Sequence, residues 1–140
     1  DNNYHLYLVG EGDLRKTIQD MIIKYELVDK VSLLGYRSDV PAILRQSDLS
    51  VLSSYGEGFG LAIIESLAVG TICLGSHVSG IKDILDSEYL FELGDSKTLA
   101  EKIMKYCNLD LSEKCKNMVK EYDVNKMVQL YKKVYNNAIQ

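Results

Sequence analysis

The sequence predicts a doubly wound α/β domain built on a parallel sheet. Short apolar runs alternate with stretches of helical spacing along most of the 140 residues. The connections between them are short, and short alternating elements with right-handed crossovers give parallel strands. The strand-like runs are almost continuously apolar, as in a sheet covered on both faces.

In chain order, Tyr4-His5-Leu6-Tyr7-Leu8-Val9 reads as a buried strand ending at Gly10. Gly10-Glu11-Gly12-Asp13 turns into a helix that Asp13 is placed to cap. Leu14, Ile18, Met21, Ile22 and Tyr25 recur at helical spacing and form its sheet-facing side, with Lys16, Asp20 and Lys24 opposite. Residues 31–35 form the second strand, followed by the loop Tyr36-Arg37-Ser38-Asp39. A short helix comes next, with Pro41 in its first turn and Ile43 and Leu44 inward. Residues 49–53 are the third strand. A glycine-rich turn leads from it into a helix over about 59–69 that Gly70 closes.

Residues 71–76 are the fourth strand, and His77-Val78-Ser79-Gly80 leads into a short helix at 81–85. Residues 89–92 are a fifth, shorter strand. From Asp95 onward the pattern is helical. One helix begins near Ser96 and carries Leu99, Ile103, Met104 and Cys107, and a second covers about 112–121. The last carries Val124, Met127, Val128, Tyr131, Val134, Tyr135 and Ala138, a stripe that calls for a packing partner.

A chain of 140 residues is one domain's worth and can bury a proper core. Hydrophobic residues at 46% and charged residues at 26% fit a globular protein. A net charge of −4 argues against a nucleic-acid partner, which needs a basic patch. No apolar run approaches the roughly 18 residues of a membrane span, and no signal-peptide pattern is present. Cys73, Cys107 and Cys115 are odd in number and lack metal spacing, so they read as reduced thiols of a cytoplasmic protein. The start at Asp1, one step before a strand, reads as part of a longer protein.

In doubly wound sheets, ligands bind beyond the carboxyl ends of the strands. Those ends are 10–12, 35–37, 53–60 and 76–80, which the predicted fold lines along one edge. The richest is Gly56-Glu57-Gly58-Phe59-Gly60-Leu61, continued by Ala62-Ile63-Ile64-Glu65-Ser66. Glycines let the backbone approach a ligand closely. The following helix aims its free N–H groups and positive dipole end at the turn, which suits a phosphate. Glu57 and Glu65 would repel a phosphate but accept hydrogen bonds from hydroxyls. Either glutamate alone could be a solvated carboxylate. The pair around Gly58 and Gly60 favours a sugar nucleotide.

Other candidates weigh less. Gly10-Glu11-Gly12 hints at a dinucleotide fingerprint, but Arg15 stands where the third glycine belongs and no acidic residue ends the second strand. Gly10 and Gly12 remain candidate nucleotide contacts because their turn borders the ligand edge. His77 lies at that edge as an ordinary loop histidine, His5 is structural and Cys73 is core. There is no nucleophile elbow, Walker loop, close histidine pair or Asp-x-Asp metal motif. Neither a metal nor a cofactor is expected, and a nucleotide-sugar would be a substrate.

The stretch from Glu57 to Leu61, with Glu65 eight positions after Glu57, resembles the Glu-x7-Glu signature of retaining glycosyltransferases of the GT-B architecture. Leu8-Val9-Gly10-Glu11-Gly12, the 31–36 strand ending in Leu-Gly-Tyr, and Ser79-Gly80-Ile81-Lys82-Asp83-Ile84 agree with it in order and spacing. Over roughly residues 4 to 107 the chain looks like the donor-binding domain of glycosyltransferase family four, the "glycosyl transferases group 1" set. The resemblance implies a Rossmann-like sheet with C-terminal helices, one half of a GT-B enzyme. It implies that Glu65 binds the ribose hydroxyls and that Glu57, the candidate catalytic residue, contacts the donor sugar. The backbone at Gly58, Phe59, Gly60 and Leu61 would hold the diphosphate and sugar, and the main chain near Tyr36 and Arg37 would read the base.

Departures from the family pattern are Ser53 for proline, Ser79 for the first glycine of a pair, and Asp83 for glutamate. The family's diphosphate-clamping Arg and Lys, and its acceptor-binding domain, are expected upstream of Asp1. The implied activity is transfer of a sugar, from UDP in the first instance, to a glycan or lipid-linked acceptor in bacterial surface polysaccharide synthesis. The implied location is the cytoplasm, peripheral to the inner membrane face. The competing readings are a non-catalytic nucleotide-binding module, a sugar-nucleotide epimerase and a nicotinamide-binding domain.

Overall fold

The computed structural model describes residues 4–138. They cluster into two compact units that divide between Val40 and Pro41. The predicted α/β class, with parallel strands and helices between them, is what the structure shows; the strands pair in two ladders, of two and three strands. Every pairing is parallel, as the alternation of strands and helices requires.

In the first unit, β1 (Leu6–Val9) pairs with β2 (Val31–Gly35), and α1 (Arg15–Lys24) connects them. Register slips between Leu8 and Val9: Leu8 pairs with Leu33 but Val9 pairs with Gly35, so Leu34 is bulged. Gly35 comes next with φ +66, and its carbonyl accepts the Gly10 N–H at 2.8 Å. A bulge redirects the chain beyond it, here the Tyr36–Arg37 loop.

Two expectations for this unit are overturned. β1 is not buried, since Leu6, Tyr7 and Val9 are all exposed. Among the described residues it has one strand beside it, and α1 buries none of its residues, with Leu14, Met21 and Tyr25 exposed. Asp13 does not cap α1 either. Leu14 holds the N-cap position and no side chain bonds there.

In the second unit, β3 (Ser50–Leu52), β4 (Cys73–Ser76) and β5 (Leu90–Phe91) form a sheet with β4 central. All four β4 residues are buried. β3 and β5 flank it, the helices α3 (Leu61–Ala68) and α4 (Ser96–Tyr106) pack against it, and α5 (Ser112–Val119) packs on α3. The core is Ile63, Leu67, Ile72, Leu74, Ile81, Ile84, Leu85, Tyr89, Phe91 and Tyr106, with Cys73 and Cys115. Asp95 caps α4, its carboxylate accepting the Thr98 N–H at 3.0 Å and hydroxyl at 2.7 Å. Those two donors hold the Asp95 carboxyl below the usual range.

The remaining corrections in this unit are local. The short α2 (Val40–Arg45) precedes β3. Residues 81–85 form turns, not a helix, through hydrogen bonds from Ile84 and Leu85 N–H to the Ile81 carbonyl. Tyr89 ends a 3-10 turn, Ser87–Tyr89, instead of opening β5. The second C-terminal helix stops at Val119, and Lys120–Tyr122 is 3-10. The apolar stripe on α6 (Val124–Ala138) is real, but no α6 residue is buried. No helix among the described residues is long and apolar enough to cross a membrane.

Candidate functional site

β3 runs out at Leu52, and the chain turns through Gly56-Glu57-Gly58-Phe59-Gly60 into α3. Gly60 is the N-cap of α3 in the left-handed conformation, φ 63 and ψ 50, which a Cβ would strain. A Cβ there would also press on Ile63 Cδ1 at 3.1 Å. Around Gly56 and Gly58, by contrast, a Cβ would meet nothing within 4 Å. The turn is anchored at its end and open in its middle. Phe59 and Leu61 are exposed beside it.

The N–H groups of Leu61 and Ala62 have no partner within the helix, Ile63 N–H donates to the Gly60 carbonyl at 2.9 Å, and no acidic residue sits in the first turn. Glu65 is exposed one turn further along. Glu57 is half-buried and oriented, because the Ser54 hydroxyl donates to its Oε1 at 2.8 Å. Ser54 is held in turn, its carbonyl accepting the hydroxyl of fully buried Ser76 at 2.6 Å. Thus the ends of β3 and β4 together set the direction of one carboxylate. Sequence reasoning does not single out Ser54 and Ser76. Hydroxyl residues ending adjacent parallel strands are the available signal.

A second loop backs the turn. Gly80 has φ +83, and a Cβ added there would overlap the carbonyl of Glu57 and lie 3.1 Å from the Gly58 carbonyl carbon. His77, after β4, does not join the turn. Its Nδ1 lies 2.7 Å from Glu92 Oε1 beyond β5.

Gly10, Gly12, Tyr36 and Arg37 lie in the first unit. Gly10 and Gly12 have open space where a Cβ would project. They line a shallow cavity of about 240 Å³ with Leu8, Leu14 and Leu33. Tyr36 and Arg37 line another of about 390 Å³ with Ser38 and Asp39. The Arg37 guanidinium is already engaged: Nε and Nη2 donate to the two Asp39 oxygens at 2.7 and 2.6 Å. That bidentate pair holds the Asp39 carboxyl below its usual range and the Arg37 pKa above its own. Among the described residues, no group of three His, Cys, Asp or Glu side chains is placed to hold a metal.

Residues 1–122 match the family model described as glycosyl transferases group 1. The chain is 31% identical over 143 aligned residues to N-acetyl-alpha-D-glucosaminyl L-malate synthase of Bacillus anthracis, covering 96% of this chain and 38% of that protein. It is 32% identical over 146 to the UDP-Gal:alpha-D-GlcNAc-diphosphoundecaprenol alpha-1,3-galactosyltransferase of Escherichia coli, covering 94% and 36%. The chain therefore spans less than two fifths of either relative. In fold it is similar to Anabaena HepE, solved in complex with UDP and glucose. The TM-score is 0.84 at 22% identity, over 95% of this chain and 40% of that one.

Proposed function

The chain belongs to the glycosyl transferases group 1 family, and on that premise we propose that it is the donor-binding domain of a retaining, UDP-sugar-dependent glycosyltransferase. The observation that carries the reading is the open Gly58-Phe59-Gly60 turn, set on the N-terminus of α3 with the Ser54-oriented carboxylate of Glu57 beside it. The backbone of the turn holds the diphosphate. Glu57 contacts hydroxyls of the sugar, and Glu65 those of the ribose. The main chain at Tyr36 and Arg37 is assigned to the base. Gly10 and Gly12 are assigned to the nucleotide because their turn leaves room for it.

In this reading the sugar leaves the nucleotide diphosphate through an oxocarbenium-like state. Negative charge grows on the departing phosphate. The N–H groups at the start of α3 are already aimed at the turn, so they stabilise that charge without reorganising. No general base is assigned here. No metal is assigned either, and sugar transfer is expected to persist in EDTA; loss of activity restored by a divalent cation would contradict that assignment.

The acceptor is a glycan or a lipid-linked sugar bound by a second domain. The E. coli relative, named for a diphosphoundecaprenol substrate, supports a lipid-linked acceptor. Ligand-observed NMR of the chain against UDP-, GDP- and ADP-sugars and NAD tests the donor reading. Saturation transfer to UDP-sugars alone is the expected result. Transfer to NAD, or to no nucleotide, would refute it.

A further inference from the structure

Gly58 leaves the middle of the turn with little backbone restraint. Besides the Gly60 cap and the Ser54 bond to Glu57, one further side chain reaches the turn twice. Tyr122, in the 3-10 turn after α5, packs edge-on against the Phe59 ring, centroids 5.6 Å apart at 66°. Its hydroxyl donates to the Asp83 carbonyl at 3.0 Å. The Asp83 carboxylate in turn accepts the Gly80 N–H at 3.2 Å. Gly80 is the residue whose Cα lies against the Glu57 carbonyl. One route therefore runs from the Tyr122 ring to Phe59, and the other from its hydroxyl through Asp83 and Gly80 to Glu57. Partial burial, with Asp83 and Glu121 nearby, raises the Tyr122 pKa, so the hydroxyl remains a donor at ordinary pH.

We propose that Tyr122 is a positioning residue for the donor turn, fixing Phe59 through its ring and Glu57 through Asp83 and Gly80. It touches neither phosphate nor sugar. The proposal rests on the donor-binding reading for its functional consequence, but its structural content stands independently. Edge-to-face aromatic pairs and single hydrogen bonds are modest, so loss of the ring should weaken nucleotide binding by about two- to tenfold without abolishing it.

The test uses the 15N-labelled chain as wild type, Tyr122→Leu and Tyr122→Phe, with UDP titrated into each. In Tyr122→Leu, the amide resonances of Gly58, Phe59 and Gly60 should shift or broaden while those of Leu67 and Leu74 hold still, and the UDP dissociation constant should rise. In Tyr122→Phe, the Phe59 amide should stay near its wild-type position while Asp83 and Gly80 move, with affinity largely restored. Turn amides in Tyr122→Leu that coincide with wild type would overturn the proposal, as would an unchanged UDP affinity. If Tyr122→Leu does not fold, Tyr122→Phe decides: unmoved Gly80 and Glu57 amides would overturn the hydroxyl route. If the wild type binds no UDP, the donor-binding reading fails, and the turn amides still decide whether Tyr122 positions the turn.

Discussion

Glu57 and Glu65 differ in how the structure treats them. Glu57 is held by Ser54, while Glu65 stands exposed on the first turns of α3. If Glu65 receives ribose hydroxyls, replacing it with alanine removes a hydrogen bond to a charged acceptor, worth about 1.5–3 kcal/mol. Glu65→Ala should then raise the UDP dissociation constant by roughly 10- to 150-fold in calorimetry; an unchanged constant would remove the ribose role. Cys73, in the core of the same unit, makes a different prediction. It is 2% exposed, and burial pushes its thiol from 9.0 up to about 11. The folded state therefore holds the proton more tightly than the unfolded chain does. The resulting stability is whole below the unfolded pKa of about 8.5–9 and is lost as pH rises toward 11. Relative to Cys73→Ala, wild-type stability should fall by on the order of 2–3 kcal/mol between pH 8 and 11 in urea titrations. A difference that stays flat with pH would show that the thiol ionises freely.

At the scale of elements, α3 is tied to its sheet by one hydroxyl. Ser66 is fully buried, shares a 2.8 Å hydrogen bond with Ser50 on β3, and lies 2.8 Å from the Thr71 carbonyl that it donates to. Ser66→Ala would leave that carbonyl without its side-chain donor and should cost about 1–3 kcal/mol in chemical denaturation. A cost near zero would mean that water replaces the hydroxyl. Ser66 also marks the edge of what the sequence made legible. The order of strands and helices, their parallel sense, the glycine-rich turn and the start of α4 at Ser96 all follow from periodicity and turn chemistry. The direction of Glu57 does not, because it depends on Ser54 and Ser76 meeting across a strand pairing. Nor does the contact from Tyr122 to Phe59, which are 63 positions apart in sequence. Residues 81–85 mislead for a related reason. Their apolar spacing suits a helix, yet Ile81, Ile84 and Leu85 reach the core from successive turns. Asp13 has the composition of a cap, but α1 begins one residue beyond the reach of its side chain's usual geometry, at Arg15.

Across the whole molecule, burial is uneven, and that unevenness should be visible in hydrogen exchange. The second unit contains every residue of the buried hydrophobic core, centred on β4 and α3. In the first unit, β1 and α1 bury no side chain, and Leu6 and Val9 of β1 are exposed. Helix α6 has a clear apolar stripe, yet Val124, Tyr131, Val134 and Tyr135 are each about 60% exposed or more. Local opening costs least where few apolar contacts are lost. Amides of Leu74, Gly75 and Leu67 should therefore exchange only through global unfolding. Those of β1 and α6 should exchange through local opening, faster by about tenfold for each 1.4 kcal/mol of lower opening free energy. The gradient has a functional corollary. The Gly58–Gly60 turn is joined to the protected end of the molecule by α3, so UDP should slow exchange at Gly60 and Leu61 but leave α6 unprotected. Protection of α6 in the chain alone, equal to that of β4, would mean that its apolar stripe is already covered in solution, and it would overturn the burial pattern described for this helix.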